Sequence, residues 1–267
     1  MIPRLARSLR TALRLPASLM VVVSCGQAQA QANSTEAAIV APAATYQFLE
    51  GSNFTYAVEW HFFTAGTATI HVESAGAEKH VVASADSAGV VNILYTVRDR
   101  FQSVVDPKTF CSLRISKHAE EGSHKRQTEI RFDSARRKSV LEEKNLKTNT
   151  SKTVENDIPG CVTDVLTGFY YLGSMPLAPG NIYLFPVNDG NKTAIVRAEV
   201  EGKEAVKTPT GAYSAIRVRA EATSGALRGT GALWIWYAED ERHTPVQMRA
   251  KMSWGTLMFR LQKIEKR

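Results

Sequence analysis

The chain has 267 residues, with 33 Lys+Arg against 26 Asp+Glu, a formal charge of +7, and 44% hydrophobic residues. This globular composition excludes a wholly disordered chain, a collagen-like chain and a disulfide-dense miniprotein. The length suits one large β domain or two small ones.

The charge is unevenly placed. Arg4, Arg7, Arg10 and Arg14 lie near the start, and no acid appears before Glu36. An apolar run, residues 15–23, follows the arginines. It is shorter than the ~20 residues of a bilayer span and matches the apolar region of a signal peptide. Ala28-Gln29-Ala30 then offers small residues before a cut, so residues 1–30 are predicted to be a signal peptide. Cleavage there leaves 29 Lys+Arg against 26 Asp+Glu, or +3. The basic excess is therefore mostly an export feature, and no nucleic-acid partner is expected. A second route starts from Val22-Val23-Ser24-Cys25, which is similar to the lipobox of bacterial lipoproteins. Lipid on Cys25 would anchor the protein without a spanning helix. Residues 31–45 show no periodicity and read as a flexible linker, which leaves 46–267 as a single β domain.

From Asn53 onward the apolar period is two. Phe54, Tyr56, Val58, Trp60 and Phe62 alternate with polar or small residues, and so do Ala68, Ile70 and Val72. Alternation marks strands with one buried face. Thr64-Ala65-Gly66 reads as a three-residue hairpin loop, a register that sets Trp60 opposite Ile70 and Glu59 opposite His71. Further strands are predicted around Val81–Ala85, Leu113–Ile115, Ile130–Phe132, Lys138–Glu143, Ala194–Val200, Ile216–Ala220, Ala232–Ala238, Val246–Met252 and Thr256–Ile264. Val162, Val165, Leu166, Phe169 and Leu172 have helical spacing instead, between Pro159-Gly160 and Gly173. Gly89–Tyr95 reads as a weaker helical turn. The expected fold is all-β and mainly antiparallel: a strongly curved sheet or partly open barrel, with one packed helix over about 162–173.

An ordered set of short motifs carries a resemblance. It runs from Tyr56-Ala-Val-Glu-Trp60 and Ala65-Gly66 through Asp164, Phe169-Tyr-Tyr-Leu172 and Pro179-Gly180. It ends with Gly211–Arg217, Leu233-Trp-Ile-Trp236 and Asp240-Glu-Arg242-His-Thr-Pro245. Together they resemble a bacterial envelope family of unknown function, domain of unknown function 3108. The resemblance implies an exported β protein, more loosely similar to the curved half-barrels of lipoprotein carriers. It brings no catalytic residues with it.

Motifs for chemistry are sparse. The six histidines lack metal-ligand spacing, no nucleophile elbow or phosphate loop occurs, and no cofactor is expected. Glu59, His61 and His71 read as a solvated cross-strand cluster or, in an envelope hydrolase, as titratable groups converging with Asp240. Cys111 and Cys161 can pair in an exported chain, although Cys111 also shares the parity of Leu113 and Ile115, which reads as a buried apolar thiol. Candidate ligand-binding residues are Trp60, Trp234, Trp236, Asp164, Asp240 and Arg242. The tryptophans belong to a packed core or a hydrophobic groove, Asp240 and Arg242 to its polar lip or to a charged turn. Asp164 reads as a helix-start acid or a buried partner for a strand arginine. The partners these features suggest are a lipid, a lipoprotein or another envelope protein. An outer-membrane barrel is a further alternative, because alternation also suits a lipid-facing band.

Overall fold

The alternating pattern is realised in a computed structural model that describes residues 37–266 except 44, 62, 225–228, 230 and 254. The predicted signal peptide and Cys25 lie outside the described residues. The chain divides into two units, Met1–Ser34 and Thr35–Arg267, and only the second is described here. Its strands are β1 (Ser52–Trp60), β2 (Phe63–Ala75), β3 (Glu78–Ser87), β4 (Val97–Val105), β5 (Ser112–Glu121), β6 (His124–Asp133) and β7 (Lys138–Asn145). They continue as β8 (Thr150–Asp157), β9 (Ile182–Asn188), β10 (Thr193–Thr208), β11 (Gly211–Ala222), β12 (Gly231–Ala238), β13 (Pro245–Met252) and β14 (Gly255–Lys266). Helix α1 (Gly89–Leu94) follows β3, and α2 (Val165–Gly173) lies between β8 and β9.

All fourteen strands form one antiparallel sheet in the order β8-β7-β6-β5-β4-β3-β2-β1-β14-β13-β12-β11-β10-β9. The first and last strands pair, so the open edges are β8 and β9. This is the expected curved, partly open barrel. Bulges at Thr55/Tyr56, Val104/Val105 and Val200/Gly202 add local twist and bend where a flat sheet could not curl.

The segment entering α2 ties the β9 edge of the sheet to β5. On one side Thr163 bridges Val187 of β9 in parallel, with its N–H on the Pro186 carbonyl at 3.0 Å. On the other side the Ser112 N–H of β5 donates to the Val162 carbonyl at 2.8 Å. Cys111 and Cys161 stand beside that bond at disulfide distance, their Cα atoms 5.1 Å apart. Higher on the seam, Asn156 of β8 donates to the Gly190 carbonyl at 2.7 Å. Gly190 has φ +95°, and a Cβ there would meet the Ile130 and Leu141 methyls at 2.6 Å. Only glycine lets this turn lie against the β6–β7 face.

Two apolar clusters fill the interior. The larger packs Tyr170, Tyr171 and Leu172 of α2 against Phe54, Tyr56, Phe185, Ile235 and Leu261. The smaller joins Ile115, Ile130, Phe132, Leu141, Ile158 and Val162 under the Gly190 turn.

The structure corrects three readings. The first hairpin turns between Trp60 and Phe63, not at Thr64–Gly66. Trp60 pairs with Phe63, Glu59 with Thr64, and His71 with Asn53. His61 takes the left-handed conformation (φ 54°) that the loop needs. Gly66 instead lies inside β2, where the Asp86 carbonyl of β3 approaches too closely for any Cβ. Strands β4, β8 and β9 carry too little alternation to be read from sequence. Lastly, α2 begins at Val165, with Asp164 as its N-cap.

Candidate ligand-binding groove

The register defines one inward row of side chains after another. Val218, Ile235, Met248, Phe259 and Val58 face each other across β11, β12, β13, β14 and β1. The neighbouring inward row carries Ala220, Leu233, Ala250 and Leu257. On β2 and β3 the inward positions include Ala68 and Ala83. α2 presents Leu166, Phe169 and Leu172 to this surface. Where alanines stand opposite the helix, their side chains are too short to close the gap. A cavity of about 710 Å³ remains, lined by Leu233, Ile235, Met248, Phe259, the four alanines Ala68, Ala83, Ala220 and Ala250, and the helix residues, together with Tyr56, Ile70, Phe101, Phe185, Val187 and Val196. Its far wall includes Gly231, Met252 and Ser253 at the strand ends, so it opens away from the C-terminus of α2. A void of this size, apolar and reachable, suits a ligand with hydrocarbon character.

α2 is held by both ends. Asp164, 1% exposed, accepts from the backbone N–H of Leu166 at 2.8 Å and of Thr167 at 3.1 Å. Its second oxygen accepts from the Ser112 hydroxyl at 2.8 Å and from Ser103. Thr167 returns the contact to the Asp164 N–H, completing a capping box. Asp164 is thus a helix-start acid whose buried partners are strand hydroxyls, not the arginine considered from sequence. At the other end, Tyr237 donates to the Phe169 carbonyl at 2.7 Å, and His243 Nδ1 lies 2.7 Å from the Gly173 carbonyl. Burial pushes the Tyr170 and Tyr237 phenols well above their ordinary range, so both remain neutral.

The other candidates do not line the groove. Trp234 and Trp236 lie on the opposite face of β12 from Leu233 and Ile235, which corrects the cleft placement. Arg249 stacks on Trp234 with its guanidinium carbon 4.1 Å from the ring centre, and the Trp236 indole N–H donates to Glu204. Every residue from Leu233 to Tyr237 is apolar, so period two cannot choose a face. The deciding signal lay on the partner strands, where Arg217, Arg219 and Arg249 share the tryptophans' rows. Trp60 keeps the inward parity of Tyr56 and Val58, but its ring lies against Gly255, outside the cavity wall.

Asp240 and Arg242 are likewise not a lip of the groove. Asp240 accepts from the backbone N–H of Arg242 at 3.1 Å and of Thr244 at 3.0 Å, which fixes the β12–β13 turn. Arg242 reaches back to the Phe48 and Glu50 carbonyls, each at 3.1 Å. It lines a separate polar hollow of about 750 Å³ with Tyr46, Glu50, Lys79 and Lys108. With His243 on the helix end, this turn clamps the N-terminal segment and α2 onto the sheet. Glu59 pairs with Arg260 at 3.1 Å, and His71 with Glu73 at 2.8 Å. His61 is exposed at its turn, so these groups and Asp240 do not converge. No group of three His, Cys, Asp or Glu among the described residues is placed to hold a metal ion.

Sequence reasoning missed Asp99 on β4. It is 6% exposed and shares the inward parity of Phe101 and Ser103. Burial raises its carboxyl to about 6, the nearby Glu121 carboxylate adds to the rise, and the Glu120 N–H opposes it. Because the folded value is the higher one, the folded chain binds the extra proton between the ordinary carboxylate range and about pH 6. Stability is therefore lost as pH rises through that window. Asp99→Asn is expected to raise the melting temperature at neutral pH and flatten its pH dependence. A melt series showing the same slope in both proteins would contradict this placement.

Residues 55–262 match the family described as "Protein of unknown function (DUF3108)". The chain belongs to this family. No curated protein matches it. Among solved structures, it is similar to a β-barrel-like protein of domain of unknown function DUF1849 from Brucella abortus. That match has TM-score 0.61 and 8% identity over 83% of this chain and 99% of that one. A putative exported protein with a YmcC-like fold from Bacteroides fragilis matches at TM-score 0.31 and 12% identity, over 83% and 98% of the two chains. A putative lipoprotein from Parabacteroides distasonis matches at TM-score 0.33 and 10% identity, over 83% and 98%. At these identities the DUF1849 likeness supports the fold alone. This member of the DUF3108 family therefore shares the β-barrel-like frame.

Proposed function

We propose that this DUF3108 protein is an exported, non-enzymatic envelope protein that holds a hydrophobic ligand in the groove between α2 and the sheet. The observation that carries the reading is the open apolar cavity of about 710 Å³ facing Leu166, Phe169 and Leu172. A hydrocarbon chain there is sheltered from water at roughly 25 cal/mol per Å² of apolar surface. The basic, apolar and small-residue order of the first thirty residues supports export, to the periplasm or the periplasmic face of the outer membrane. Trp60 would border the entrance rather than the ligand. Asp164, Asp240 and Arg242 would act by holding the frame.

The outer face favours a water-surrounded domain over a lipid-facing barrel. It carries Arg217 with Glu201 and Glu204, Arg260 with Glu59, and Arg131 with Glu129 and Glu142. Such pairs would be costly against hydrocarbon. No helix among the described residues is long and apolar enough to cross a membrane.

Native mass spectrometry of protein gently purified from the bacterial envelope tests the reading. The wild type is expected to carry an apolar adduct that an Ala83→Trp/Ala250→Trp variant lacks, since the two indoles fill the gap beneath α2. Identical ligand-free spectra for both proteins would count against it. The same spectra report the cut after Ala30 and any lipid on Cys25.

A further inference from the structure

The end of the barrel at which the cavity opens carries an unusual helix. The polar residue of α1, Asn92, faces the sheet and accepts from the Ser87 hydroxyl at 2.8 Å. The apolar residues face out: Val90 is 67% exposed, Ile93 82% and Leu94 78%. No residue of α1 is buried. This reverses the usual arrangement of a surface helix, in which the apolar stripe covers the core. Phe63, 67% exposed, extends the patch, because the Ala88 N–H donates to the Ala65 carbonyl at 2.8 Å and ties α1 to the start of β2.

Lysines flank the patch. Tyr95 packs over Gly122 of the β5–β6 turn, and the Leu146 N–H donates to the Lys125 carbonyl at 2.9 Å. These contacts place Lys147 on the same end as α1. Lys251, the last residue but one of β13, stands at the cavity wall. Both lysines are exposed, and among the described residues neither has a carboxylate within ion-pair distance. Apolar groups that project together, with unpaired cations beside them, complement a surface whose headgroups are anionic and whose interior is hydrocarbon.

We infer that this end of the barrel docks on an anionic lipid surface, with Ile93, Leu94 and Phe63 entering the headgroup layer and Lys147 and Lys251 meeting the headgroups. The docking rests on the exposed rim; its purpose, passing a ligand between membrane and groove, rests on the reading above. A second copy of the chain is the other occupant the patch would admit.

The test uses the exported, processed protein with Cys25→Ala, so that no attached lipid contributes, and its N-terminus confirmed by mass. It is sedimented with vesicles of phosphatidylcholine alone or mixed with phosphatidylglycerol. The protein is expected to sediment with the mixed vesicles and less so as salt rises. Ile93→Asp/Leu94→Asp should lower the bound fraction about tenfold or more. Lys147→Glu/Lys251→Glu should weaken binding to the mixed vesicles only. All four side chains are exposed, and unchanged melting curves confirm that the variants fold. A wild type that stays in the supernatant, or an Ile93→Asp/Leu94→Asp variant that sediments as well as the wild type, overturns the docking. So does a wild-type dimer that this variant dissolves in sedimentation velocity without any vesicle binding, which assigns the patch to a second copy. Vesicle binding by a protein that takes up no fluorescent fatty acid supports docking and defeats only the groove reading. Fatty-acid uptake without vesicle binding does the reverse.

Discussion

Replacing Asp164 with alanine is expected to destabilise the domain by roughly 3–5 kcal/mol, read from the midpoint of urea unfolding. The carboxylate is buried and accepts two amide N–H groups of α2 and two hydroxyls, from Ser103 on β4 and Ser112 on β5. Alanine removes the cap and leaves the buried Thr167 amide and the Ser103 and Ser112 hydroxyls without their acceptor. Each such group costs about 1–3 kcal/mol. Asparagine keeps an acceptor for the Leu166 and Thr167 amides, and both serine hydroxyls can turn to accept from its amide. Asp164→Asn should therefore cost about half as much. The same cap sets the angle at which Leu166 and Phe169 overhang the groove, so Asp164→Ala should also weaken ligand retention. A shift below about 1 kcal/mol would mean that α2 is positioned by its apolar face alone.

The second large effect concerns Cys111 and Cys161. Closing a loop over a sequence separation of 50 stabilises by about 4 kcal/mol in the chain-entropy treatment. That loop holds β5 to β8, and its ends lie beside the Ser112–Val162 hydrogen bond that joins β5 to the segment bridging β9. The Cys111→Ser/Cys161→Ser variant is expected to lose about 3–4 kcal/mol. A reducing agent should lower the wild type to the same level and leave the variant unchanged. Equal stability of wild type and variant under oxidising conditions would show that the two thiols are not joined.

Much of the sheet was legible because its inward residues are apolar in one parity. β1, β3, β10, β11 and β14 were readable for that reason. β4 was not, since its inward positions include Asp99 and Ser103, one near a carboxylate and one bonded to Asp164. β8 runs Thr-Ser-Lys-Thr-Val-Glu-Asn-Asp, the polar composition that keeps an open edge from recruiting other strands. β9 contains Pro186, which has no N–H to give; a sheet edge tolerates that. The first hairpin was misread because Gly66 looked like turn chemistry when its role is to admit the β3 backbone. The groove was not legible either. Alanines at 68, 83, 220 and 250 look like ordinary strand residues until the register gathers them opposite one helix. Trp234 and Trp236 drew attention as large aromatics, but their arginine neighbours hold them on the outer face.

Titration of the processed protein with a fluorescent fatty acid tests the central claim most directly. The account predicts saturable one-site binding, competed by unlabelled fatty acid and weakened about tenfold or more by Ala83→Trp/Ala250→Trp at unchanged melting temperature. Substitution of Trp234 on the outer face should leave the affinity unaltered. Binding that is absent, or that is equal in the wild type and in a folded Ala83→Trp/Ala250→Trp variant, would contradict the account.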